Sequence, residues 1–282
     1  MGQATLAERL GYGADARLLI VNCDDFGSSQ AANAAILRAM DRGVATSATL
    51  MVPCPWARDA VRQSQGRDIG VHLTLTCEYP GYRWRSLTGA KSLHDDEGFM
   101  PATVEEVFRR ADPADAYAEC RAQIETAMAW GLDPTHLDSH MGTVQIEPRF
   151  FDVYLRLADE FDLPLRMPGR GQDEKLGFHG RERAAARGLL FNENFLSPWP
   201  RDTGQVMAER IPGLAAGVSE IYAHPVDDGP ELRAYDPDHP DIRANDAIVF
   251  SDPAMVRLLD DAGAIRISYR PLRDLQRAER RG

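Results

Sequence analysis

The chain has 282 residues, 44% hydrophobic and 27% charged, a globular balance with ample material for a core and no compositional sign of disorder. A formal charge of −11 with no dense Lys/Arg stripe excludes the electrostatic footprint of a nucleic-acid or anionic-membrane binder and points to a neutral or cationic small molecule, although an acidic surface also serves solubility alone. The four cysteines, Cys23, Cys54, Cys77 and Cys120, form no CxxC pair, which excludes a zinc ribbon and leaves reduced thiols as the expectation.

Met1–Ala16 is polar, with neither the basic and apolar regions of a signal peptide nor an apolar run of about 18 residues or more. It reads as an N-terminal arm (1–16) on a single domain filling 1–282, and a cytoplasmic protein is expected. The apolar run Leu18–Asn22 then leads into the helical pattern Gln30–Arg42, stopped by Gly43, which is a βα unit. Further strands are predicted over Ala48–Val52, Ile69–Thr76, Thr135–Ser139, Leu163–Met167, Glu220–Ala223 and Ala264–Tyr269, with a weaker one at Leu189–Asn192.

Helical patterns separate them: Trp56–Gln65, Val104–Arg110, Pro113–Trp130, Arg149–Phe161, Asp202–Ile211 and Pro253–Ala262. Thr103 with Glu106 is a capping box, Asp112 and Pro113 are N-cap and first helical residue, and Pro148 opens another helix. Seven or eight βα repeats without a dinucleotide glycine fingerprint predict an α/β fold: a (β/α) barrel, TIM-like, either distorted or seven-stranded, with an open Rossmann-like sheet as the alternative. A chain of this length suits one barrel of about 250 residues. Two long loops are expected, Cys77–Ala102 with its aromatic residues and Pro225–Ala247, rich in Asp, Pro and His.

Four histidines fall in or just after strands, where the C-terminal ends of a barrel's strands converge on one face. In LLIVNCDDFG an apolar strand runs into Asp24 and Asp25; at the strand-to-loop bend both carboxylates can turn to that face, or they can simply cap the next turn. In IGVHLTLT, His72 alone reads equally as a satisfied core histidine. In THLDSHMGT, His136, Asp138 and His140 alternate onto one face, and a buried ionisable trio needs either metal coordination or mutual hydrogen bonding. In EIYAHP, His224 ends a strand as a candidate proton donor or a turn-bonding side chain. His94, His179 and His239 read as solvated loop residues.

Together, LLIVNCDDFGSSQAANAAILRAMDRGVATSATLMV, IGVHLTLT, THLDSHMGT and EIYAHP resemble, in order, the YdjC-like carbohydrate deacetylases, relatives of the polysaccharide deacetylases; the likeness spans Leu18 to about Arg270. The resemblance implies a (β/α) barrel with one divalent metal held by Asp25, His72 and His140, Asp24 as general base and His224 as the group that protonates the leaving amine. Asp138 or His136 would then orient His140 or hold the water. The chain departs from the family's pattern after His140, where Met141, Gly142 and Thr143 stand in place of further histidines, implying a different sugar or acyl group. The implied reaction is removal of an acetyl group from an N-acetylated sugar. Zn²⁺ suits two imidazoles and a carboxylate, with Mg²⁺, Mn²⁺ and Co²⁺ as alternatives.

Tyr79, Tyr82 and Trp84 are candidates to stack on sugar rings, or to pin their loop to the rim. No Arg or Lys cluster near the motifs suggests phosphate binding. The rival readings are hydrolysis of a different amide or ester, and a non-catalytic carbohydrate-binding relative. A homodimer is carried as an expectation from barrels in general.

Overall fold

A computed structural model describes residues 4–169 and 171–281. In chain order the elements are α1 (Leu6–Arg9), β1 (Arg17–Phe26), α2 (Gln30–Arg42), β2 (Ser47–Leu50), α3 (Ala57–Gln63), β3 (Ile69–Leu73), α4 (Val104–Arg110), α5 (Pro113–Ala129), β4 (Leu137–Ser139) and α6 (Pro148–Phe161). There follow α7 (Gln172–Leu176), α8 (Gly180–Ala185), β5 (Asn194–Leu196), α9 (Thr203–Arg210), β6 (Gly217–Ala223), α10 (Pro230–Tyr235), α11 (Pro240–Ser251), α12 (Pro253–Asp261), β7 (Ala264–Ile267) and α13 (Arg270–Arg281). Short 3₁₀ turns cover Lys91–Leu93 and His140–Gly142.

All ladders are parallel, as alternating strands and helices require. The path is β4-β3-β2-β1-β6-β5, and β7 pairs the first half of β1. β1 is central and buried throughout except Arg17, which explains its unbroken apolar run. The α/β expectation holds, but the ladders stop at β4 and β5, so the sheet is a half-barrel and not a closed ring. The strands expected at Leu163–Met167 and Leu189–Asn192 contribute only the single bridges Leu137↔Leu165 and Leu165↔Phe191. Side chains take the backbone groups that further ladder rungs would use: Asn192 accepts from the Met167 amide (2.7 Å) and donates to its carbonyl (3.0 Å).

One other expectation needs correction, and the N-terminal arm takes a definite place. The arm is docked from Thr5 on: Thr5 and Glu8 cap α1 reciprocally, and Leu6 and Ala7 are buried against Leu18, Ile20, Val218 and Tyr269. The segment 225–247 is not an irregular loop, since α10 and most of α11 lie in it, each opened by a proline at its first turn. The helix starts at Thr103, Asp112 and Pro148 are as expected, although Glu106 reaches back to the amide of Ala102, not Thr103.

Strand alternation sorts β1. Leu19, Val21 and Cys23 join the main core that includes α2, whereas Leu18 and Ile20 join the apolar cluster at the strand's start and Asn22 and Asp24 continue that face upward. The interior is therefore layered. An apolar plug of Leu18, Ile20, Leu190, Val218, Ile267 and Leu272 closes the N-terminal end of the strands, and polar side chains fill the C-terminal end. Between them His136 lies stacked on Tyr269, ring centroids 3.7 Å apart. All four cysteines are buried and unpaired, and no helix among the described residues is long and apolar enough to cross a membrane.

Candidate metal centre

The turn after β1 sets the first ligand. Asp25 sits at φ 65°, a left-handed conformation uncommon outside glycine, and Gly27 follows at φ 91°. A Cβ on Gly27 would meet Ala57 Cα at 2.7 Å, so the turn must pass this close to α3 as glycine. Asn33 of α2 accepts from the Gly27 amide (2.8 Å) and donates to the Trp56 carbonyl (3.2 Å), which accounts for its place in the DDFG element.

Asp25, His72 and His140 converge. Asp25 Oδ1 lies 3.4 Å from His72 Nε2 and 3.4 Å from His140 Nδ1, yet neither ring nitrogen is aligned to hydrogen-bond it, and it is a buried oxygen without a partner among the described residues. The other atom of each group is taken. Asp25 Oδ2 accepts from Arg243 Nη1 (2.7 Å), His72 Nδ1 pairs with Asp138 Oδ1 (2.7 Å), and His140 Nε2 pairs with Glu78 Oε2 (2.9 Å). With those outer nitrogens donating to carboxylates, the inner ones present lone pairs. With both rings neutral, three inward lone-pair atoms repel, and either protons on the imidazoles or a metal ion among the three relieves this. Bonds of about 2.0–2.1 Å in a tetrahedral array separate their ligand atoms by about 3.3–3.4 Å, the spacing of Asp25 Oδ1 from each ring nitrogen here, and all three ligand atoms lie within 4.8 Å of one another. The cluster fits a metal ion, and its residue types suit a divalent one.

A second group, Asp24, His72 and Asp138, also brings possible donors together. Arg166 already neutralises it: its two Nη atoms donate to Asp24 at 2.7 Å each, Nη1 also lies 2.8 Å from Asp138 Oδ2, and Nε donates to Glu220 at 2.8 Å. The carboxylates of Asp24, Asp25, Glu78, Asp138, Glu220 and Asp236 outnumber the buried guanidiniums of Arg166 and Arg243.

The titration behaviour follows. Burial opposes charge on His72 and His140, but Asp138 raises the first to about 10 and Glu78 the second to about 9, as expected where the surroundings call for a cation. Burial would likewise raise Asp25, yet His140, His72 and Arg243 hold it well below the usual carboxylate range. Asp24 is brought down to about 2 by Arg166 against its own burial. His224 is pulled down to about 4, chiefly by burial, so it is a neutral imidazole at pH 7. Its Nδ1 is sealed and unpartnered among the described residues, while the residue keeps a partly exposed edge.

All five sequence-predicted residues, Asp24, Asp25, His72, His140 and His224, lie at the C-terminal end of the strands, but the expected outer partners change. Asp138 orients His72, not His140, and also accepts from Thr49 (2.8 Å). His136 faces the same interior one layer lower, on Tyr269, and touches no ligand. Tyr79 and Trp84 are buried and their loop is pinned, with Trp84 Nε1 donating to the Thr76 carbonyl and Tyr82 Oη to that of Ser28, so the packing reading holds. His179 and His239 are exposed as expected, the second with its ring edge-on to Trp199, whereas His94 is half-buried and pairs with Ser86 (2.9 Å).

Sequence reasoning missed Arg166, Glu220, Glu78 and Arg243. Arg166 and Glu220 did carry a signal, each being a charged residue inside an apolar strand-like run, LPLRMP and SEIYA. Arg243 and Glu78 sit in the two long segments and carried none. The partly exposed rings near His224 also went unnoticed: Trp199 at 4.9 Å, and Tyr222 at 5.4 Å, itself stacked on Phe195.

Fold and site define a class, an α/β half-barrel whose strand ends carry a buried carboxylate and two imidazoles arranged for a metal ion. The chain belongs to the YdjC-like protein family, whose profile it matches over residues 18–261. It is 36% identical over 261 residues to the carbohydrate deacetylase of Thermus thermophilus, covering 90% of this chain and 93% of that one. It is 31% identical over 257 residues to the carbohydrate deacetylase of Geobacillus stearothermophilus, covering 90% and 97%. Among solved structures, an Enterococcus faecalis protein named for cellobiose-phosphate cleavage superposes with a TM-score of 0.81 at 23% identity, covering 91% of this chain and 99% of that one, a likeness of fold.

Proposed function

We propose that this protein is a metal-dependent carbohydrate deacetylase that hydrolyses the N-acetyl group of an acetylated sugar or oligosaccharide, and that its fold is a distorted (β/α) barrel. The observation that carries the reading is the convergence of Asp25, His72 and His140, with the unpartnered Asp25 Oδ1 3.4 Å from a nitrogen of each ring. The names of the two bacterial relatives point the same way.

Those three residues would hold one divalent cation, Zn²⁺ by preference for two imidazoles and a carboxylate, with Mg²⁺, Mn²⁺ or Co²⁺ as alternatives. When bound, such an ion lowers the pKa of water and polarises an amide carbonyl. Asp24, ionised throughout the physiological range, takes the proton as water attacks the acetyl carbon. Arg166 fixes both its oxygens, so the carboxylate cannot swing away. His224 enters turnover neutral, and the proton it passes to the departing nitrogen must therefore reach it during the reaction. Trp199 and Tyr222 offer partly exposed ring faces beside it for the apolar face of a pyranose. The products are acetate and an amino sugar, whose positive charge is compatible with the chain's acidic balance.

Arg166 and Arg243 do lie in the site, but both are already committed to carboxylates, so neither favours a phosphate ester as substrate. The test is acetate release from N-acetylglucosamine, its dimer and its trimer by metal-stripped and Zn²⁺-reloaded protein. Release only after reloading supports the reading. No release from any of them with metal bound stoichiometrically would redirect it to another amide or ester.

A further inference from the structure

Arg243 comes from α11, in the segment 225–247, and is buried with its guanidinium between two carboxylates. Nη1 donates to Asp25 Oδ2 and Nε to Asp236 Oδ2, each at 2.7 Å. Asp236 is fixed in turn, because its Oδ1 accepts from the amides of Asp238 (3.2 Å) and His239 (2.9 Å) at the entry to α11. The guanidinium also lies 5.4 Å from the Trp199 ring and 5.8 Å from that of Tyr79.

We propose that Arg243 is a positioning residue that occupies one oxygen of Asp25 and so restricts that carboxylate to a single bond with the cation. A carboxylate can bind a cation through one oxygen or both. Held through Oδ2 by an anchored arginine, Asp25 offers only Oδ1, the atom that faces both imidazoles. That leaves coordination positions for water and a substrate oxygen, which a catalytic site needs. A flexible lysine would not bridge Asp25 and Asp236 as the planar two-armed guanidinium does. The arrangement also ties α11, and through it Trp199, to the metal centre.

This inference rests on the metal reading, and the test separates the two. Full-length wild type, Arg243→Met and Arg243→Lys are loaded with Co²⁺, and visible absorbance, Co²⁺ affinity, kcat, KM and melting temperature are compared. In Arg243→Met a positive charge is gone and Asp25 Oδ2 is released. The expected result is Co²⁺ held at least as tightly as in wild type, weaker visible bands as the coordination number rises, and kcat down roughly 10–100-fold with little change in KM. Arg243→Lys gives intermediate absorbance and decides the matter should the methionine variant fail to fold.

Unchanged absorbance in the folded variants overturns the inference and leaves the metal reading standing. Loss of affinity in step with melting temperature marks a merely structural arginine and overturns it too. No Co²⁺ uptake by wild type overturns both.

Discussion

Replacing Arg166 by methionine removes a cation that Asp24, Asp138 and Glu220 share inside the half-barrel. Breaking a buried ion pair from one side costs about 3–5 kcal/mol, because the stranded charge keeps its desolvation penalty. At roughly 1.7 °C per kcal/mol for a chain of this size, melting should fall by about 5–8 °C. The pH dependence gives the sharper readout. Without Arg166 the stranded carboxyls have folded pKa values raised above their unfolded ones, so the folded state binds more protons and stability is lost as pH rises through the folded values. Thermal melts of wild type and Arg166→Met at pH 5 and pH 8, at equal metal content, should show the larger loss at pH 8. Asp24→Asn in the same background should restore part of it, since it removes one stranded charge. A loss below about 1 kcal/mol, or equal losses at both pH values, would refute the reasoning that the cluster is held by charge compensation.

Three further outcomes follow from the same geometry. Asp138→Asn deprives His72 of its charged partner, so Zn²⁺ affinity should drop roughly 10–100-fold in a chelator competition titration; unchanged affinity would mean Asp138 serves only Arg166. Trp199→Ala removes a partly exposed ring worth about 1.5–3 kcal/mol of apolar contact, so KM for an acetylated sugar should rise about tenfold or more with kcat less affected, and an unmoved KM would place the sugar elsewhere. Asp246 is buried beneath His224, and burial raises its carboxyl to about 6 although it accepts from Thr203 and from the His224 amide. Its folded pKa exceeds its unfolded one, so its contribution is present below about pH 4 and lost as pH rises to about 6. The melting temperature of Asp246→Asn relative to wild type should therefore climb across that window, and a flat difference would contradict the buried charge.

Much of the site was legible because strand alternation and strand-end position are local properties. The alternation of His136, Asp138 and His140 puts those side chains on one face, and the apolar run into Asp24 and Asp25 brings both carboxylates to a strand end from which they can turn to it. What alternation cannot supply is depth: His136 and Asp138 share a face, yet one packs on Tyr269 and the other on His72, one layer apart. Arg243 and Glu78 were invisible because their partners lie 218 and 62 residues away along the chain. The segment 225–247 was misread because its Asp, Pro and His residues looked like loop composition, whereas Pro230 and Pro240 open helices. Closure of the barrel failed at Leu163–Met167 and Leu189–Asn192, whose apolar pattern is strand-like but whose backbone groups are partly claimed by Asn192.

The central claim is that Asp25, His72 and His140 hold a cation on which deacetylation depends. Bound metal and acetate release should be measured together on wild type, Asp25→Ala and His140→Ala, each stripped and then exposed to Zn²⁺. About one Zn²⁺ per wild-type chain is expected, with acetate released from an N-acetylated sugar, and both signals should be lost in either variant. Full metal content in the variants, or wild-type acetate release that survives stripping, would contradict it.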